Sequence, residues 1–201
     1  MFATIFAIGV DELSETTFRS AAPADAGAVA GLHADSWRRH YRGAYSDAFL
    51  DGDVVEDRLS VWTGRLSHPA PGARTFLAER SGELTGFAHA VLDEDGVWGA
   101  LIDNLHVLYG LKRQGIGTRL LALVARHVVD HSPSSGMYLW VLEQNLDAQA
   151  FYARRGGLHA GQHEVPPPGG DRSRLIGRPV ALRYAWPDPA LLLSELPTEG
   201  V

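Results

Sequence analysis

The stretch Lys112-Arg113-Gln114-Gly115-Ile116-Gly117-Thr118 follows a strand-like segment and opens a helical one. Consecutive backbone N–H groups at a glycine-rich helix start can cradle an anion, and the helix dipole favours negative charge there. Glycine suits such a loop because a Cβ would hold a phosphate away from the backbone. Lys112 and Arg113 add positive charge beside it. Gly110 to Gly115 has the G-x-x-x-x-G spacing of a P-loop, but Ile116-Gly117 stands where Lys-Ser/Thr is required. A dinucleotide loop needs a third glycine three residues after Gly117, where the chain has Leu120. The loop fits neither type, and a glycine turn without a ligand is the bland alternative.

Other residue patterns carry less chemistry. His127 and His131 stand four apart on one helix, a spacing that can hold a metal, but no third ligand is evident and no metal is expected. Trp37-Arg38-Arg39-His40-Tyr41-Arg42 mixes aromatic and basic residues, yet it reads as a helix stripe in an acidic chain. Asp51, Asp53, Glu56 and Asp57 read as a solvated helix face, with attraction of a cationic acceptor as the alternative.

These residues need elements to position them. Thr17–Ser20 reads as a strand and residues 24–41 as a helix, with Ala26, Ala30, His33, Trp37 and Tyr41 on one stripe. A second helix falls within Asp51–Leu66. Strands follow at Arg74–Glu79, Leu84–Leu92 and Val97–Leu108, with turns at Ser81-Gly82-Glu83 and Asp93-Glu94-Asp95-Gly96. The helix after the glycine loop has the apolar face Ile116, Leu120, Leu123, Val124, His127 and Val128. Tyr138–Leu142 suits a buried central strand. A short helix over Asp147–Arg155 and strands at Leu158–Val165 and Val180–Trp186 complete an α/β chain, a mixed sheet with helices packed on it.

The chain has 201 residues, 45% hydrophobic and 21% charged, which fits one soluble globular domain. It has no cysteine, so thiol nucleophiles and thiolate metal sites are excluded. A net charge of −6 argues against sequence-independent nucleic-acid binding, which relies on Lys and Arg at phosphates. The apolar run Met1–Val10 is about half a membrane span and lacks the basic start of a signal peptide. A docked extension and a cytoplasmic address are expected, with no membrane partner.

The segment Lys112–Gly117 resembles the acetyl-CoA motif Arg/Gln-x-x-Gly-x-Gly/Ala of the GCN5-related N-acetyltransferases (GNAT), with Lys112 in the first place. Asn145-Leu146-Asp147-Ala148-Gln149-Ala150-Phe151-Tyr152-Ala153-Arg154-Arg155-Gly156-Gly157 is similar to that family's Asn-x-x-Ala-x-x-Phe-Tyr-x-x-x-Gly-Phe, with Gly157 in place of Phe. Residues 33–43 resemble its first helix and loop. The resemblance spans about residues 18–186 and implies a GNAT fold: a twisted mixed sheet of about seven strands flanked by about four helices. It implies an extension at 1–16, the acetyltransferase domain at 17–187 and a tail at 188–201.

The implied reaction is acetyl transfer from acetyl-CoA to the primary amine of a small molecule, by direct attack and without a metal. A protein amino group as acceptor, or a non-catalytic acyl-CoA-binding module, are the rivals, and a homodimer is left open. The implied donor-binding residues are Leu105, His106, Val107, Lys112, Arg113, Gln114, Gly115, Ile116, Gly117, Thr118, Asn145, Phe151 and Tyr152. Tyr152 holds the place whose hydroxyl protonates the departing thiolate. The base is sought on the strand before the loop, where Leu101 and Asp103 share a face by alternation, making Asp103 the first candidate. His106 follows if a bulge turns it, then Glu143. Trp37, Tyr41 and Asp103 are expected to line the acceptor pocket.

Overall fold

The computed structural model describes residues 16–132 and 136–195; the apolar run Met1–Val10 lies outside them. The strands are β1 (Thr16–Ser20), β2 (Ala73–Arg80), β3 (Glu83–Asp95), β4 (Gly99–Val107), β5 (Met137–Leu142), β6 (Leu158–Glu164) and β7 (Val180–Trp186). The helices are α1 (Ala26–His40), α2 (Asp47–Asp51), α3 (Val54–Ser67), α4 (Ile116–His131) and α5 (Leu146–Arg154). The strands form a single sheet in the order β1-β2-β3-β4-β5-β7-β6, with β4–β5 parallel and the remaining pairs antiparallel. Apart from one additional helix, α2, the element order matches the expectation from the sequence.

Five α-helices replace the expected four or so among the described residues, because α2 is separate from α3. The Ser46 side chain accepts the Phe49 N–H at 3.4 Å and starts α2. Gly52 ends it, at a point where a Cβ would meet the Ala48 carbonyl oxygen at 2.7 Å. The Asp51-Gly52-Asp53 cluster thus stops one helix before the next begins. In the β2–β3 hairpin, Ser81 and Gly82 both take positive φ, +52° and +81°, as a two-residue turn requires. The second expected turn sits later, because β3 runs on through Asp95. The Asp95 Oδ1 then accepts the N–H groups of Val97 and Trp98 at 2.7 and 3.0 Å.

Helices cover both faces. Ile116, Leu120, Val124 and Val128 of α4 pack on Ala88, Ala90, Ile102 and Leu139 of the sheet. Gly86 lets the start of α4 come close: a Cβ there would stand 2.9 Å from the His106 carbonyl oxygen and 3.2 Å from the Ile116 and Leu120 side chains. Leu123, expected on this face, is only partly buried. On the other face, α1 and α3 bury Trp62 against Phe87 and Leu77. Complete burial of a large side chain such as Trp62 stabilises by roughly 2–3 kcal/mol. Beyond β7, Pro189–Glu195 forms 3-10 turns, and Leu192 and Leu193 pack into the α4 core. Among the described residues no helix is long and apolar enough to cross a membrane.

Candidate active site

β4 and β5 pair only through Ala100–Ile102 and Met137–Leu139. Beyond that point β4 stays with β3 as far as Val107, and β5 stays with β7 as far as Leu142. The two strands part, and a cleft of about 1300 Å³ opens between them. Close backbone approach sets the root of the gap. Gly99, at φ +79°, has its Cβ position 2.2 Å from the Gly136 carbonyl oxygen, which accepts the Ala100 N–H at 3.0 Å.

Past the fork, β4 has peptide groups to spare. The Leu108 N–H donates to the Thr85 carbonyl at 2.8 Å, and Val107 pairs with Gly86. Antiparallel alternation therefore turns the peptide groups of Leu105 and Val107 away from β3 and into the cleft. A bulge precedes them: His89 pairs with Asn104 and Ala90 with Ile102, leaving Asp103 as the extra residue. The bulge shifts the side-chain alternation. Leu105 and Val107 join Ile102 against the α4 core, while His106 faces α1.

The strand leads into the glycine loop and α4. Arg113 and Gly115 both take left-handed backbone, φ +66° and +81°. The amides from Arg113 to Thr118 donate to no group among the described residues, and the first bond of the helix is Arg119 N–H to the Gly115 carbonyl at 3.0 Å. Lys112 turns from the loop toward α1, its Nζ 3.1 Å from His40 Nε2 and 4.9 Å from the Tyr109 ring centre. Burial lowers the pKa of Lys112 and of His40 below their ordinary values. The Gln114 side chain accepts from Arg80 Nη2 at 3.0 Å, and the Ile116 side chain is buried in the core. Neither residue lines the cleft, although both were expected among the donor-binding residues.

The opposite wall is α5. Asn145 caps it, its Oδ1 accepting the Ala148 N–H at 3.3 Å, and lines the cleft as well. A Cβ on Gly117 would meet Phe151 Cζ at 3.5 Å, so this ring borders the cradle. Tyr152 is 7% exposed and lines the cleft, and burial pushes its phenol well above its ordinary value. Gly157, where the family pattern has Phe, faces the Trp186 ring: a Cβ would stand 2.8 Å from Trp186 Cζ2. Trp186 Nε1 also donates to the Arg155 carbonyl at 2.8 Å. An aromatic side chain from β7 thus packs where the family's phenylalanine would start.

At the other end of the cleft the polar groups are matched to one another. Asp103 Oδ2 accepts from Arg65 Nη1 at 2.5 Å and from Asn104 Nδ2 at 2.7 Å, while Oδ1 has no partner among the described residues. Ser36 Oγ lies 2.8 Å from His106 Nδ1, and burial lowers the His106 imidazole to about 3. Behind it His33 accepts from Trp62 Nε1 at 2.9 Å, and burial again holds its pKa well below the usual range. Tyr41 lines the cleft, its phenol raised to about 12 first by burial and then by the Asp103 charge. Trp37 does not line it. It is 7% exposed, with the Arg58 guanidinium 4.2 Å from its ring centre and Tyr41 stacked on it at 5.3 Å.

Glu143 is exposed and outside the cleft. His131 Nδ1 donates to the His127 carbonyl at 2.9 Å, and no group of three or more metal-binding side chains occurs among the described residues. In the acidic cluster, Asp51 pairs with Arg42, and Asp57 with Arg58 and Arg174. Sequence reasoning missed Ser36, Asn104, Arg155 and Glu195, all of which line the cleft. Asn104 was hidden by the bulge. Glu195 lies in an arm whose one signal was the apolar run Leu191-Leu192-Leu193.

The acetyltransferase (GNAT) family matches residues 34–157, and the chain belongs to that family. It is an acyltransferase that uses acetyl-CoA. A probable N-acetyltransferase of Mycobacterium tuberculosis is 30% identical over 149 residues, covering 71% of this chain and 79% of the relative. The N-acetyltransferase YuaI of Bacillus subtilis is 30% identical over 132 residues, covering 64% and 73%. The fold is shared with a solved N-acetyltransferase of Thermoplasma acidophilum in complex with coenzyme A, at TM-score 0.59, 18% identity and coverage of 84% and 97%. It is shared too with Arabidopsis thaliana NAA60 in complex with acetyl-CoA, at TM-score 0.62, 18% identity and coverage of 85% and 97%.

Proposed function

We propose that this cleft acetylates the primary amine of a small molecule, with the amine attacking the thioester of acetyl-CoA directly. The observation that carries the reading is the parting of β4 and β5 beside a helix start whose amides are unspent. Gly117 supports it from a second direction. Its Cβ position meets neighbours only at ordinary contact distance, 3.5 Å and more, and its φ is unstrained. Nothing within the protein requires glycine there, whereas a phosphate seated on the amides does.

The amides of 113–118 hold the pyrophosphate, and the peptide groups of Leu105 and Val107 hold the pantetheine arm and polarise the carbonyl oxygen. Phe151 and Asn145 close the far side. As the N–C bond forms and the C–S bond breaks, the Tyr152 hydroxyl gives its proton to sulfur. Burial keeps that phenol protonated across the working range. Asp103 receives the amine's proton on Oδ1, while Arg65 and Asn104 fix the carboxylate through Oδ2.

A compact acceptor is supported by the loops at that end. The Ser46 N–H donates to the Arg174 carbonyl and the Ile176 N–H to the Ala44 carbonyl, each at 2.9 Å. A polypeptide passing between these loops would have to break backbone bonds. The test is thiol release from acetyl-CoA with a panel of polyamines, amino acids, aminoglycosides and N-terminal peptides. Turnover with a small amine supports the reading. Turnover confined to peptides replaces the acceptor class, and binding without turnover on the whole panel replaces the enzyme with an acyl-CoA-binding module.

A further inference from the structure

The arm after β7 does more than cover α4. Its last described residue, Glu195, reaches back to the cleft and accepts from Arg155 Nη1 at 2.5 Å. Both residues line the cleft, with their side chains 30% and 39% exposed. Arg155 Nε is buried and has no partner among the described residues. The backbone of Arg155 is fixed: its N–H donates to the Phe151 and Tyr152 carbonyls, and its own carbonyl accepts from Trp186. Arg155 stands four residues after Phe151, the ring that borders Gly117. Arg155 is the C-cap of α5, one turn along the chain from that ring, and lines the same cleft.

A guanidinium that is half satisfied by a carboxylate, at the rim of an anion cradle, is suited to a second anion. Given the donor reading above, on which this inference rests, the second anion that the same ligand carries beside its pyrophosphate is the phosphate on the ribose of CoA. We propose that Arg155 is the 3′-phosphate receptor of the donor site and that Glu195 occupies its place until the donor binds. An exposed ion pair of this kind holds by only about 0–1 kcal/mol. A phosphate monoester carries about −1.5 to −2 charges at pH 7 and presents three acceptor oxygens, so it displaces the carboxylate. The freed Glu195 then has no partner in the site, and its end of the arm loosens.

The experiment is calorimetric binding of CoA and of 3′-dephospho-CoA to the full chain, so that no acceptor or turnover is needed. Wild-type protein should bind CoA more tightly on the order of 10-fold, a typical size for charge-assisted hydrogen bonds. Arg155→Gln should bring the two affinities together by weakening CoA only, and Arg155→Lys should restore part of the difference. Glu195→Gln should tighten CoA several-fold and leave 3′-dephospho-CoA unchanged. Equal binding of the two ligands by the wild type overturns the assignment while leaving the donor reading intact. Collapse of the ratio in Arg154→Gln but not in Arg155→Gln moves the receptor one residue and also overturns it. Absence of binding to either ligand overturns the donor reading itself.

Discussion

The two ends of the cleft are built on opposite principles. At the donor end, the amides from Arg113 to Thr118 and the peptide groups of Leu105 and Val107 are aimed and unused. At the acceptor end, Asp103 is tied to Arg65 and Asn104, and Ser36 to His106. Free backbone donors cost no reorganisation when their ligand arrives, so the donor end is organised in advance. Side chains already matched must exchange partners. The donor end can therefore recognise one large ligand by backbone, while the acceptor end selects by which side-chain bonds an amine can replace.

The sharpest way to break this contrast is to spoil the donor end with a side chain. Gly117→Val should lower CoA affinity by more than about 100-fold, as a branched group covers the unspent amides. Circular dichroism should show a folded protein, because the Cβ meets only side chains at 3.5 Å or more. Unchanged affinity in calorimetry would remove the cradle from that place.

Tyr152 stands between the two ends. Tyr152→Phe should lower kcat on the order of 100-fold near neutral pH, with CoA affinity nearly unchanged. The defect should shrink toward pH 9, above the thiol pKa of about 8.5, where the thiolate is the stable product. A deficit that is constant from pH 6 to 9 would show that the hydroxyl positions the donor and does not deliver a proton.

The acceptor end also rests on a layer of imidazoles. Burial holds His89 at about 4 and His106 at about 3, and keeps His33 well below the usual range. Unfolding lets each take a proton at its ordinary value near 6.5. The unfolded chain then binds more protons, so stability is complete above about pH 7 and falls as pH drops through 6.5 toward 4. Three such groups predict a loss of about 2 kcal/mol between pH 7 and pH 6, or roughly 30-fold in the folding constant. Urea midpoints at the two pH values measure it. Midpoints that do not move would mean that these rings are protonated inside the fold.

The smallest effect is expected from the side-chain end. Asp103→Asn should lower turnover about 10-fold, most strongly near pH 6–7 where the acceptor amine is protonated, with CoA affinity preserved. Turnover that is unaffected at every pH would pass the base role to His106.

The same contrast explains what could be read from the sequence. Residues 112–118 and 145–157 stood out in the sequence because a glycine-rich helix start and a capped short helix restrict which residue types fit. The order of strands and helices was legible from apolar spacing. The bulge at Asp103 was not, since it arises from the register between β3 and β4 and no glycine or proline marks it. Trp37 and Tyr41 share a helix stripe, but only the end of the stripe reaches the cleft, and position along a helix is invisible to periodicity. The arm residue Glu195 meets Arg155 across 40 positions, a contact no local pattern encodes.

The fork between β4 and β5 has one more consequence. It leaves two strand edges facing each other inside the molecule, and open edges usually invite another chain to add itself. Here both edges lie on the wall of the cleft, beside residues of α4 and α5. On the proposed reading, the donor's slender arm, with amides at intervals, would stand in for the missing strand. The fork thus keeps edges that could seed aggregation on the wall of a cleft and off the open surface.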